Sequence, residues 1–317
     1  TGPMALIRRY PGTDGVLVTG ARPGFVADSA KPPIRPGDIL LEIDGKHVEG
    51  HDSLVGIVDG RPRFHETANL FAAQTVGTDH LHPGGVTGLD LTGANLSGEL
   101  GVWDYGAVYE AHQEFGGRVV QQDGATTLYY HVTHVSGTMV AAGVNPLAKG
   151  MSPAAHLHAF DWTLDEAEMA TAAAGGMLVS NHSYANPAGW SYRGGDIPWY
   201  WYGDPAVSET EDPGFGIYDL ESQAWDQIAF EAPHYLIVKA AGNDRDDAGP
   251  APGSDHYVYD PNTFQWVVSS TTRDSDGGSL GYDTIPYKGV AKNILTVGAV
   301  WDIAGGWTQP ADVVNSA

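Results

Sequence analysis

From Glu99 onward, short apolar runs alternate with stretches that read as helix, and this alternation constrains the fold more than any other feature of the chain. Residues 100–104, 118–121, 156–161, 177–182, 235–240 and 293–300 read as strands, and 131–143, 164–174 and 217–231 as helices. The run from Asp165 to Ala174 combines strong helix formers with acids in its first turn, where they complement the helix dipole. Nearly continuous apolar strands joined through helices predict an α/β fold: a parallel sheet covered by helices on both faces. In such sheets functional groups gather at the carboxyl ends of the strands, where Asp104, His182 and Asn243 all fall.

The first sixty residues follow a different pattern. Residues 16–19 and 39–43 read as strands, Pro32-Pro33 and Pro36-Gly37-Asp38 as turns, and 53–58 as a short helix. Asp44-Gly45 is expected to close a tight hairpin, because glycine tolerates positive φ. Gly15-Val16-Leu17-Val18, Arg35-Pro36-Gly37-Asp38-Ile39-Leu40 and Ile43-Asp44-Gly45 together resemble the C-terminal two-thirds of a PDZ domain. The alternative is a generic β-rich appendage. Asp59-Gly60-Arg61-Pro62 reads as a boundary, giving a partial PDZ-like segment over 1–59 and a second domain over 60–317. Residues 61–97 read as a loop-rich lead-in to that domain.

Charge narrows the function classes. With 39 acids against 16 bases the net charge is −23, which repels nucleic acid and anionic membrane while favouring cations. An acidic surface suited to a salty or extracellular medium accounts for it, as does specific metal binding. The chain has no cysteine, which removes disulfides, a thiolate nucleophile and thiolate metal sites together. No run approaches the roughly 18 apolar residues of a membrane-spanning helix, so no membrane insertion is expected. The chain begins at Thr1 with no visible signal peptide, and its N-terminus is expected to have been cut.

The residues with chemical potential centre on Tyr130-His131-Val132-Thr133-His134-Val135-Ser136-Gly137-Thr138. A histidine in the first turn of a helix feels the positive end of the dipole, which disfavours imidazolium and leaves a neutral base near pH 7. His134 could instead join His131 as a metal pair, but no carboxylate lies between them in the metalloprotease manner. As a single residue, His134 is read as a packed helix residue. Asp104, closing an apolar strand, could cap a loop, or could hold a histidine in one tautomer. Asn243, after Ala240-Ala241-Gly242, could be a turn residue or aim its amide at a developing oxyanion.

The order of Asp104, then His131 in His-Val-Thr-His-Val-Ser-Gly-Thr, then Asn243 in Ala-Ala-Gly-Asn resembles the subtilisin family of serine proteases. Val179-Ser180-Asn181-His182-Ser183-Tyr184 is similar to the family's substrate-lining strand, and 292–299 to its late core strand. The resemblance spans roughly 61–317 and implies a subtilisin-like peptidase domain, with Asp104 as orienting acid, His131 as general base and Asn243 as oxyanion donor. It also implies that Ser183, Tyr184 and Ala185 pair with an extended polypeptide substrate. No cofactor is required for that chemistry. A structural calcium is compatible with the acidic loops 244–247 and 204–212, although spacing assigns no ligands. Trp190, Trp199 and Trp201 either line substrate pockets or pack a long insertion.

Three departures stand out. Val132 and Ala185 replace glycines usual in the family, and neither change removes a reacting atom. The family's Gly-Thr-Ser-Met-Ala turn is absent: Ser269, Ser270, Ser275 and Ser279 precede the late strand and Ser316 is near the terminus. The chain is therefore expected to be an inactive, C-terminally truncated fragment of a secreted or periplasmic serine endopeptidase. The alternative is a non-catalytic peptide-binding protein using the PDZ-like segment and the 183–185 strand. Oligomeric state and cleavage preference are not legible in the sequence.

Overall fold

A computed structural model describes residues 69–314, apart from 246, 261, 278–282 and 304, together with short strands within residues 1–63. The chain divides into two compact units, Thr1–Ala68 and Asn69–Ala317. In the first, β1 (Leu6–Ile7), β2 (Val16–Leu17), β3 (Ile39–Ile43) and β4 (Lys46–His47) form one sheet, with β3 pairing antiparallel to the other three. β5 (Gly56–Val58) pairs antiparallel with β6 (Arg61–Arg63). The helix expected over 53–58 is thus corrected over 56–58: a glycine followed by two β-branched residues suits a strand better than a helix. The turns read at Pro32-Pro33, Pro36-Gly37-Asp38 and Asp44-Gly45, like Ser279 and Ser316, lie outside the described residues.

The second unit begins with α1 (Asn69–Val76), inside the stretch read as loop-rich. Its main sheet comprises β7 (Leu100–Asp104), β8 (Val119–Gln121), β9 (Leu157–Asp161), β10 (Val179–His182), β13 (Leu236–Ala240) and β16 (Leu295–Val297). Their order is β16-β13-β10-β7-β9-β8 and every pairing is parallel. This is the α/β architecture expected from the alternating pattern. From β7 the chain goes to the edge strand β8 and returns to β9 on one side, then crosses to β10 and continues through β13 and β16 on the other. The connections leaving β7 and β10 therefore run to opposite sides, the position at which sheets of this kind place their sites.

β7 is buried along its whole length, and alternate side chains enter different layers. Val102 packs with Val132 and Val140 of α2 (Tyr130–Val140). Trp103 packs with Met169 of α3 (Asp165–Ala174) and with Trp225 and Ala229 of α4 (Leu220–Glu231). The Trp103 indole also stacks on Phe160, with centroids 4.2 Å apart. Gly101 has to be small: a Cβ there would lie 2.6 Å from Met177 Sδ and 2.8 Å from the Trp103 ring. α4 starts where the Asp219 carboxylate accepts from Ser222 N at 2.8 Å, a side-chain N-cap.

α2 stops three residues short of the expected span. Ala141 has already left the helical region, and the buried Glu114 carboxylate accepts from Gly143 N, Val144 N and Asn145 N at 2.7, 2.9 and 2.7 Å. Those three bonds draw the backbone off the helix axis.

A second sheet was not anticipated. Its strands β11 (Trp190–Tyr192), β12 (Trp199–Trp201), β14 (His256–Asp260) and β15 (Gln265–Ser269) are ordered β11-β12-β14-β15. Trp190, Trp201 and Val258 form its core with Trp199 packed against them, so these tryptophans pack an insertion. Among the described residues no helix is long and apolar enough to cross a membrane.

Candidate active site

Asp104 ends β7 and His131 is the second residue of α2. What joins them is the connection from β7 through β8 to α2, whose two ends are tied together. Ala107 N donates to Thr127 O at 2.8 Å and Tyr129 N to Ala107 O at 3.0 Å. Gly106 N donates to Asp161 Oδ2 at 2.6 Å, and the Tyr105 and Tyr129 rings meet edge to face. These contacts carry the start of α2 over the carboxyl end of β7.

His131 Nδ1 then lies 2.7 Å from Asp104 Oδ2. The second oxygen, Oδ1, accepts from Tyr105 N at 2.7 Å. Because the carboxylate only accepts, Nδ1 is the donor, and in the neutral ring Nε2 is the acceptor. The two partners differ in exposure: the Asp104 side chain is 3% exposed and that of His131 43%. A buried acid thus anchors a ring whose other nitrogen can reach solvent.

The hydrogen bond to Asp104 holds the His131 imidazole above its ordinary value; burial pulls the other way, and the charge of Asp104 adds to the rise. This corrects the expectation that the helix N-terminus would favour the neutral ring. A charge-assisted bond at 2.7 Å outweighs the partial charges of a helix end. His134 faces solvent, which corrects its reading as a packed residue. Of the serines considered, Ser275 Oγ donates to Ala248 O and Ser269 Oγ accepts from Thr271 N. Among the described residues none is bonded to His131.

Asn243 sits just past the end of β13, exposed, after Gly242 with φ +108°. Positive φ at Gly242 turns the chain out of the sheet, a conformation that a side chain there would resist. Ser183, Tyr184 and Ala185 continue beyond β10, and Ala185 is exposed. Among the described residues, Tyr184, Ala185 and Asn186 make no backbone hydrogen bond. The four elements bearing these residues are the central β7, the neighbouring strands β10 and β13, and α2.

His182, which shares the strand-end position, has a different role. It is fully buried between Trp103 and Trp225, with Nε2 2.7 Å from Ser180 Oγ and Nδ1 3.0 Å from Tyr184 OH. Burial, then Lys239 and Lys288, push it well below its ordinary value, so the ring is neutral. From Tyr184 the chain of bonds continues to Asp165 Oδ2 at 2.7 Å and on to Lys288 Nζ at 2.8 Å.

Sequence reading missed Lys239 and Lys288, although a lysine inside the apolar run Leu236-Ile237-Val238-Lys239-Ala240 was a visible anomaly. In the 204–212 loop Asp212 accepts from Gly189 N and Gly214 N, and Asp204 from Ala206 N. Among the described residues no group of three or more metal-ligating side chains is arranged to hold an ion.

Residues 87–306 match the model of the subtilase family. No curated protein matches the chain. Among solved structures it is similar to a cold-adapted subtilisin-like serine proteinase, at 17% identity over 49% of this chain and 50% of that one, with a TM-score of 0.28. It is also similar to the epidermin leader peptide processing serine protease of Staphylococcus aureus, at 16% identity over 66% and 49%, with a TM-score of 0.33. The chain spans about half the length of these proteins.

Proposed function

We propose that this chain, which belongs to the subtilase family, carries the acid–base and substrate-holding parts of a serine endopeptidase site. The observation that carries the reading is the 2.7 Å bond between a buried carboxylate and a half-exposed imidazole in the family's order. In this reading Asp104 fixes the His131 tautomer, so that Nε2 takes the proton of an attacking serine hydroxyl. Asp104 then stabilises the imidazolium, which returns the proton to the departing amine. Asn243, free of the sheet, donates its amide to the oxyanion of the tetrahedral intermediate. Ser183 to Ala185 pair with an extended polypeptide, adding it as a strand without fixing its sequence, and the backbone of Tyr184 and Ala185 is unpaired among the described residues. None of the serines described above takes the nucleophile's part. A setting outside the cytoplasm belongs to the same proposal and agrees with the net charge of −23.

Peptide hydrolysis by the protein as its gene encodes it tests the reading. Asp104→Asn is expected to lower turnover by roughly 10⁴-fold, the scale known for trypsin-type triads. Asn243→Ala should cost on the order of 10²–10³-fold, a magnitude established on subtilisin itself and carried over. Near-normal turnover in either variant removes the role assigned to that residue. A second reading, peptide capture without cleavage, rests on the same unpaired backbone and on the PDZ-like pattern of residues 1–59. Tight peptide binding with no hydrolysis and no labelling by a serine-directed fluorophosphonate favours it.

A further inference from the structure

Three neighbouring strands of the main sheet, β9, β7 and β10, each deliver an aromatic side chain just past their carboxyl ends. Asp104 and Asp161 are register partners, so Tyr105 and Trp162 follow them side by side. His182 pairs with Trp103, which puts Tyr184 at the level of Tyr105. The rings meet: the Trp162 centroid lies 5.0 Å from that of Tyr105 and 5.7 Å from that of Tyr184. Tyr105 continues the row to Tyr129 at 4.8 Å, and Tyr129 to Tyr130 at 4.7 Å, beside His131. An unbroken row of aromatic rings thus runs from the segment read as substrate-pairing to the histidine read as general base.

Packing within the domain does not account for this row. Tyr105 is 41% and Trp162 40% exposed, whereas Trp103, the residue before Asp104, is fully buried. Adjacent rings left in water forgo the gain of burial, and contiguous apolar surface of that kind marks an interaction site. The backbone beneath the rings is fixed. Trp162 N donates to Asp104 O at 2.8 Å. The Asp161 carboxylate accepts from Gly106 N at 2.6 Å and from Thr163 N at 3.0 Å, and so ties the residue after Tyr105 to the residue after Trp162. The two rings are therefore held in position before any ligand arrives, which lowers the cost of binding. Asp104 and Asp161 are both engaged by these bonds and by His131, so the row offers a peptide ring faces and edges rather than charge.

We propose that Tyr105 and Trp162 form a specificity-determining subsite that receives an aromatic side chain of a bound polypeptide. The inference rests on the reading of 183–185 as the segment that pairs with substrate and of His131 as the base. A peptide that engages both passes over the row, and because side chains of an extended chain alternate between two faces, one of them points at the rings. An aromatic side chain there makes edge-to-face or offset contacts with both partners, a gain beyond its buried area that leucine cannot match.

The test uses the 317-residue chain and blocked penta-alanine peptides with Phe or Leu placed at each position in turn. Affinities are read by titration calorimetry. At one position, Phe is expected to bind about 3- to 10-fold more tightly than Leu, the scale of an aromatic pair beyond its area. Trp162→Ala should remove that margin. In the unsubstituted chain, labelled at tryptophan, the ring of the bound Phe should show nuclear Overhauser contacts to the Trp162 indole. Equal Phe and Leu affinities at every position overturn the inference while leaving the pairing segment standing. So does a margin that survives in Trp162→Ala, or a bound Phe ring with no contact to Trp162. If no peptide of the set binds, the assignment of 183–185 fails and takes the inference with it. The Phe-against-Leu comparison and the ring contacts need no substitution, so they decide whether or not Trp162→Ala folds.

Discussion

Replacing Asp276 by asparagine should make the second unit more stable at neutral and alkaline pH. Asp276 is 6% exposed, and its Oδ2 accepts from Trp190 N at 2.8 Å, next to the Asp212 carboxylate that holds Gly189 N. Burial raises the Asp276 carboxyl to about 8; the bond from Trp190 N lowers it, while Asp244, Asp247 and Asp212 raise it further. Asp244 is itself pushed up to about 6, by burial and by Asp247. In the unfolded chain these groups titrate near 4. Between there and about 8 the folded state binds a proton that the unfolded state does not, so stability is lost as pH rises.

At about 1.4 kcal/mol per pH unit, the loss attributable to Asp276 reaches roughly 4 kcal/mol by pH 7. An asparagine keeps an oxygen for Trp190 N and has nothing to titrate. Its advantage over aspartate should therefore be small at pH 4 and about 4 kcal/mol larger at pH 7. For a domain of this size that is on the order of 10 °C in Tm. Thermal melts followed by circular dichroism from pH 4 to pH 9 measure it. Parallel pH profiles for the two proteins, or an asparagine variant that loses ground as pH rises, refute the account of the acid cluster.

Other perturbations probe the site and the core. In an NMR titration His131 should lose its proton above the ordinary histidine value of about 6.5, and Asp104→Asn should bring it down. The stability from that pair is correspondingly present below about 6.5 and lost as pH rises through the His131 value. Gly101→Ala forces a methyl against Met177 and Trp103 and should cost about 1–3 kcal/mol in chemical denaturation. Although burial tends to raise the Glu114 carboxyl, the bonds from Asn145, Val144 and Gly143 hold it below the usual range. Glu114→Gln should therefore cost about 1–3 kcal/mol at pH 7, and the difference should shrink on acidification through the Glu114 value.

The main sheet was legible because its strands are short apolar runs separated by helix-like stretches, and the central β7 is buried along its whole length. Asp104, at the end of β7, could be placed to the residue for that reason. The second sheet was hidden by its construction. β11 and β12 have three residues each, β15 exposes Gln265, Val267 and Val268, and Gly/Asp/Pro-rich loops separate the pieces. Only pairing in space makes them a sheet.

For the site, residue order along the chain was enough to nominate Asp104, His131, Asn243 and 183–185. The direction of the His131 shift was not legible, because a helix start is visible in sequence and a carboxylate 2.7 Å away is not. Lys239 stood in plain view as a charge within an apolar strand. Its surroundings depend on Lys288 and Tyr184, which only the fold brings near it.

The segment from Tyr184 to Asn186 leaves β10 with its backbone unpaired among the described residues, and unpaired extended backbone invites other chains to stack on it. Here the next three residues of the chain limit the hazard. Pro187 has no N–H to offer, and Ala188 and Gly189 turn inward, buried, with Gly189 N held by Asp212. A guest strand therefore finds only a few consecutive backbone groups to bind before the template ends. That length is too short to seed the edge-to-edge growth that leads to aggregation.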